Sequence, residues 1–275
     1  MRGDVRWVVP VALLGLSACI HSGCSCDEDS ELVAEGYVRC HLAPPPEGDR
    51  RHGALRLHFE ERTLTIGGLP EAPRLAVGAG PIGDARVPEG VSLAILIGDL
   101  AGEPIPETEA LVILLAGGAD PWDAWSEGRT VHERDGIVDA TPLRRIIAGS
   151  LELIPVPGAP PRYVRTVGCC GLARADADAW RLEAAGAGVH RVLLSWAAPT
   201  SQGLLGVEIE TPAVAAIERE VGAEDALYAW PRLDPGAARP LGGPWVTRAN
   251  GSREPPGWTV YDVGEGGLTR RPDSP

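Results

Sequence analysis

The chain has 275 residues and a formal net charge of −13, with 38 acidic against 25 basic residues. So acidic a chain lacks the basic surface that nucleic-acid binding requires. No lysine occurs, so every basic residue is an arginine, which excludes Walker-type phosphate loops and lysine-based catalysis.

Residues 1–18 read as an export leader. Arg2 and Arg6 precede an apolar run from Trp7 to Leu16 that is too short to span a bilayer. The tetrapeptide Leu16-Ser17-Ala18-Cys19 resembles the bacterial lipobox. That resemblance implies cleavage before Cys19 and lipidation of its thiol, with an ordinary secretory leader as the alternative. Several acyl chains on one cysteine hold a membrane far more firmly than one. Ile20 follows the cysteine, and by resemblance to lipoproteins of Gram-negative bacteria this implies an outer-membrane protein facing the periplasm or the surface. Residues 19–53, with Asp27-Glu28-Asp29 and Pro44-Pro45-Pro46, read as a flexible tether that stiffens into polyproline. Residues 54–275 are expected to form the folded domain.

With Cys19 lipidated, Cys24, Cys26, Cys40, Cys169 and Cys170 remain, an odd number that leaves at least one thiol free or paired between molecules. Cys24, Cys26 and Cys40 do not have zinc spacing, and export favours a disulfide from Cys24 or Cys26 to Cys40 over a metal cluster. The adjacent Cys169-Cys170 pair has no redox spacing and reads as buried small residues.

Ala54 to Ile66 alternates apolar and polar residues on both sides of Glu60-Glu61-Arg62, a hairpin signal. Leu75-Ala76-Val77 is a short strand. Gly78 to Gly83 matches the dinucleotide-binding string Gly-x-Gly-x-x-Gly literally, but Pro81, Pro88 and Gly90 prevent the helix that would hold a pyrophosphate, so no nucleotide site is assigned. Two apolar runs follow, Ser92–Ile97 and Leu111–Leu115, which fit strands covered on both faces at the centre of an α/β sheet. Each leads to an acid, Asp99 and Asp120, at the strand end where α/β folds place ligands. Asp120-Pro121 also reads as the N-cap and first position of a short helix, a structural role for Asp120.

Leu143–Ile147 and Leu151–Val156 form a hairpin around Ala148-Gly149-Ser150. A helix is expected over Asp176–Ala185, a strand over Val189–Trp196, a helix from Thr211-Pro212 to Val221 ended by Gly222, and a strand over Ala226–Trp230. The end of the chain reads as a meander: Trp245–Arg248 pairs with Trp258–Val263 through a region containing Asn250-Gly251, and a third strand starts at Leu268.

Over roughly residues 72 to 270 this order of blocks resembles the calcineurin-like metallophosphoesterases, whose fold is a two-sheet αββα sandwich of α/β class closed by antiparallel strands. That family carries metal ligands at strand ends as Asp-x-His, Gly-Asp, Gly-Asn-His-Asp/Glu, a strand-terminal His, and Gly-His-x-His. Here Ala79 and Pro81 stand where Asp-x-His would be, and Gly98-Asp99 matches Gly-Asp. Gly117-Gly118-Ala119-Asp120 resembles the third block with Gly118 and Ala119 replacing Asn and His. Trp196 stands for the strand-terminal His, and Leu227 to Pro231, with Trp230, fills the last slot without a histidine.

By that resemblance only Asp99 and Asp120 keep a ligand type, too few for a dinuclear centre, which needs imidazole and carboxylate groups converging from several strands. The histidines His21, His41, His52, His58, His132 and His190 lie elsewhere and read as solvated. No Gly-x-Ser-x-Gly or His-Glu-x-x-His arrangement replaces the loss.

The expectation is therefore a membrane-anchored lipoprotein whose domain has no catalytic residues and no cofactor, and which binds or scaffolds a protein or small molecule. Trp196, Trp230 and Pro81 would fill the former cavity, either as core or as an aromatic binding cleft. The alternative is an active phosphoesterase using Asp99 and Asp120, with Asp84 or Asp139, around a divalent metal. A third reading is a small-molecule-binding α/β module unrelated to phosphoesterases.

Overall fold

The computed structural model describes residues 38–39, 44–79, 86–98, 107–117, 136–158, 170–171, 180, 189–202, 208–210, 212–223, 225–230, 245–248, 257–264 and 267–271. In chain order the strands are β1 (Val38–Arg39), β2 (Gly48–His52), β3 (Leu55–Glu60), β4 (Thr63–Gly67), β5 (Arg74–Ala79), β6 (Leu93–Ile97), β7 (Leu111–Leu115) and β8 (Ile137–Asp139). They continue as β9 (Arg145–Ala148), β10 (Leu151–Val156), β11 (Cys170–Gly171), β12 (His190–Ser195), β13 (Thr200–Gln202) and β14 (Glu208–Glu210). The helix α1 (Pro212–Val221) follows, then β15 (Asp225–Trp230), β16 (Trp245–Arg248), β17 (Thr259–Gly264) and β18 (Gly267–Arg270). The fold is α/β with two mixed sheets, and α1 is the one α-helix among the described residues.

The smaller main sheet has six strands in the order β18-β17-β5-β6-β7-β8. Strands β5 to β8 are parallel, and β17 joins β5 antiparallel with Tyr261 opposite Leu75. Every residue of β6 and β7 is buried, which is why their sequences are unbroken apolar runs. One face presents Leu75, Leu93, Ile95, Leu111 and Ile113 to the main core, and the other presents Ala76, Ala94, Leu96, Val112 and Leu114 to a second apolar cluster with Trp258.

The larger sheet has eight strands in the order β16-β15-β12-β10-β9-β4-β3-β2. Its inward face, including Leu57, Leu64, Ile146, Leu153 and Leu194, meets the first sheet in one continuous core. Each such side chain, fully removed from water, contributes about 1.5–3 kcal/mol. Helix α1 is attached to the other face. It buries Ala213, Val214, Ile217 and Val221, starts on Pro212 and ends at Gly222, whose φ of 57° suits glycine.

Two polar contacts join α1 to the sheet. Tyr228 Oη donates to Glu218 Oε1 at 3.1 Å, and the Arg191 guanidinium donates to the Val221 carbonyl at the helix C-terminus. Arg191 Nε also donates to Glu152 at 2.8 Å, and Arg145 pairs with the other oxygen of the same carboxylate. Glu152 and Arg191 are directly opposite in the β10:β12 register, and both are buried. A charge at that depth is tolerable because its partners come from both neighbouring strands.

Two expectations need correction. Trp245–Arg248 does not pair with the strand after it: β16 pairs with β15, Trp230 opposite Trp245, while β17 pairs with β5 and β18 in the other sheet. Apolar Tyr261 and Val263 match the inward face of the six-stranded sheet, and that burial outweighs a local turn signal. The larger sheet also begins inside the stretch assigned to the tether, since β2 covers residues 48–52 and pairs along its length with β3. The Asp120-Pro121 and Asp176–Ala185 helices lie outside the described residues, apart from Trp180.

Candidate functional site

The C-terminal ends of the central strands of both sheets come together. Strand β6 is followed by Gly98, whose N–H donates to the Leu115 carbonyl at 2.7 Å, and β7 is followed by Ala116 and Gly117. Beyond β10, in the other sheet, the Gly158 N–H donates to the Ala116 carbonyl at 2.8 Å. Strand β12 delivers Trp196 immediately after Ser195, and only 1% of Trp196 is exposed.

Gly98 and Gly117 are the seat of this indole. A Cβ on Gly98 would run into Trp196 Cδ1, and a Cβ on Gly117 would meet the same ring and lie 2.6 Å from Gly98 Cα. Gly98 also has a φ of 71°, a left-handed conformation that glycine adopts without steric cost. The two glycines that read as remnants of ligand motifs thus have a packing role, set by a tryptophan distant in sequence and contributed by the opposite sheet.

Asp139 closes β8 at the same end of the six-stranded sheet. Its Oδ1 accepts from the Thr141 N–H at 2.8 Å, and Thr141 Oγ1 in turn accepts from the Ala116 N–H at 3.2 Å. An aspartate bonded to the backbone two residues on is an Asx turn. Burial raises the Asp139 pKa from the ordinary 3.8 to about 6, with hydrogen bonds from Thr141 opposing the rise. Beside the indole, on the helix-side face of β12, Ser195 Oγ is buried and without a hydrogen-bond partner among the described residues.

Of the residues singled out by sequence, Ala79 is buried at the end of β5 and Trp196 fills the space between the sheets. Trp230 is the last residue of β15, its backbone paired with Trp245. Cys19, Pro81, Asp84, Asp99, Gly118, Ala119 and Asp120 lie outside the described residues. Among the described residues no group of three or more His, Cys, Asp or Glu side chains is placed to hold a metal ion. At this end the described strands offer Ala79, Gly98 and Gly117 beside the indole, and one carboxylate, Asp139, which is engaged by the Thr141 N–H.

The described histidines are placed for structure. His52 Nε2 donates to the Glu109 carbonyl at 2.9 Å, tying β2 to the approach of β7, and its ring packs on Gly136. His190 packs on Gly267, and exposed His58 bonds Asp49 at 2.7 Å across the β2:β3 pair. His52 and His190 are therefore engaged in packing, where the sequence suggested solvation.

In comparisons with models of protein families, with curated proteins and with solved structures, nothing matches the chain.

Proposed function

We propose that this chain is an exported, lipid-anchored envelope protein whose α/β domain has a metallophosphoesterase-like architecture without a working metal centre, and that it acts by binding or scaffolding. The observation that carries the reading is Trp196, which closes the junction of the two sheets at the end where such a centre would sit. Supporting it are the block order of the sequence and the parallel β5 to β8 strands facing a second mixed sheet. Anchoring rests on the lipobox-like Leu16-Ser17-Ala18-Cys19.

Two experiments test the two halves of this reading. Model phosphomonoesters and phosphodiesters supplied with Mn, Fe, Zn or Mg should show no turnover above background, and the protein should purify without stoichiometric metal. Metal-dependent turnover abolished by Asp99→Asn would refute this half and establish the alternative centred on Asp99 and Asp120. Cys19→Ala should release the protein from the membrane fraction, and a variant that still sediments with membranes would refute lipid anchoring.

A further inference from the structure

Strands β2, β3 and β4 carry a concave outer face enclosing about 600 Å³. The β2:β3 register places Arg51 directly opposite Arg56, on the same face as the Asp49–His58 pair. Like charges directly opposite one another weaken an antiparallel pair. Among the described residues neither Arg51 nor Arg56 has an ion-pair or hydrogen-bond partner, and the acid that lines the same concavity, Asp49, is bonded to His58. Thr65 adds a hydroxyl to the lining, and Gly67 and Gly68 keep the floor free of side chains. Gly68 has a φ of 81° and no room for a Cβ, which would meet the Ala54 carbonyl at 2.5 Å.

Edge strands often carry charge to prevent association of sheets, which accounts for Arg51 on β2. It does not account for Arg56, which lies on the inner strand β3 and faces the same concavity. A chain with net charge −13 has here a concentration of unneutralised positive charge. We propose that this face is a binding site for a phosphate-type dianion, held by Arg51 and Arg56 with the Thr65 hydroxyl as a further donor. Guanidinium groups present paired N–H donors that match phosphate oxygens, and two of them balance a dianion better than a monocarboxylate. A volume of this size suits a small molecule or the headgroup of a lipid. The site is separate from the strand ends and stands whether or not those are catalytic.

The test uses the full chain with Cys19→Ala in every sample, so that an N-terminal lipid cannot contribute. Calorimetric titration with inorganic phosphate and with glycerol phosphate probes a soluble ligand, and co-sedimentation with vesicles containing phosphatidic acid, against phosphatidylcholine alone, probes a headgroup. Binding in either arm should fall about tenfold or more in Arg51→Ala and in Arg56→Ala, and Arg56→Lys should restore only part of it. Arg219→Ala, which removes an exposed arginine on α1, should bind as the parent does. Inorganic phosphate or glycerol phosphate should also raise the melting temperature of the parent and not that of Arg51→Ala. No binding in either arm, or equal losses in Arg219→Ala, would overturn the site and leave the arginines as edge protection alone.

Discussion

Replacing Gly98 with alanine should destabilise the domain through one identifiable contact, and the same replacement should cost less in a background that lacks that contact. The added Cβ meets Trp196 and nothing else at comparable distance, while the backbone φ of 71° is retained. The left-handed conformation costs an alanine about 1–2 kcal/mol, and overpacking against a fully buried ring adds about 1–3 kcal/mol. Trp196→Ala alone should cost about 3–5 kcal/mol as a large aromatic lost from the core. In the double variant the overlap is gone and only the backbone strain is added to the tryptophan loss, so the two costs should fall short of additivity by about 1–3 kcal/mol. Urea unfolding of the four proteins, followed by far-ultraviolet circular dichroism, measures this difference. Additive costs, within about 0.5 kcal/mol, would show that the indole does not rest on Gly98 and would remove the observation on which the proposed function depends.

Further outcomes follow from the buried polar groups and the sheet edge. Glu152→Ala leaves Arg191 buried without its carboxylate and should cost about 3–5 kcal/mol, whereas Glu152→Leu combined with Arg191→Leu should recover most of that; a double variant no more stable than the single one would contradict this. Asp139 has a raised pKa in the folded state, so below 3.8 its carboxyl is neutral in both states and it exerts no penalty. As pH rises from there through about 6 the unfolded chain ionises first and stability falls, by up to about 3 kcal/mol relative to Asp139→Asn. Unfolding curves of both proteins across that window should diverge with rising pH, and parallel curves would contradict the assignment. Deleting residues 1–53 removes β2 and the His52 bond to Glu109, and should lower the melting temperature or cause aggregation, while a chain beginning at Tyr37 should melt like the parent; equal melting of the two would show that β2 is dispensable.

The central strands were legible because β6 and β7 are buried on both faces, and such strands have no polar alternation to obscure them. Helix α1 was legible from Pro212, Gly222 and the apolar spacing between them, all of which act locally. Strand β2 was not, because Gly48-Asp49-Arg50-Arg51-His52 has no apolar residue and becomes a strand only through the ladder that β3 supplies. Strand β8 is three residues long, below the length at which a periodic signal accumulates, and so was not recognised. Neither the meeting of the strand ends nor the contact of Trp196 with Gly98 and Gly117 was legible in the sequence. That contact crosses from one sheet to the other, and nothing local to any of the three residues specifies it.

The pairing of β17 with β5 governs how the protein can be made. Until residues near 260 leave the ribosome, β5 has a neighbour on one side only, and its other edge exposes a row of amide and carbonyl groups flanked by Leu75, Ala76 and Val77. A nascent chain in that condition can add a strand from another copy, and closure over so long a stretch of sequence is slow. The domain cannot be assembled sheet by sheet in the order of synthesis, because both main sheets wait for C-terminal strands: the one begun by β2 for β16, and the one begun by β5 for β17 and β18. A nonsense change ahead of Thr259 would therefore yield not a shortened, partly working domain but an aggregating one, with β5 as the nucleating edge.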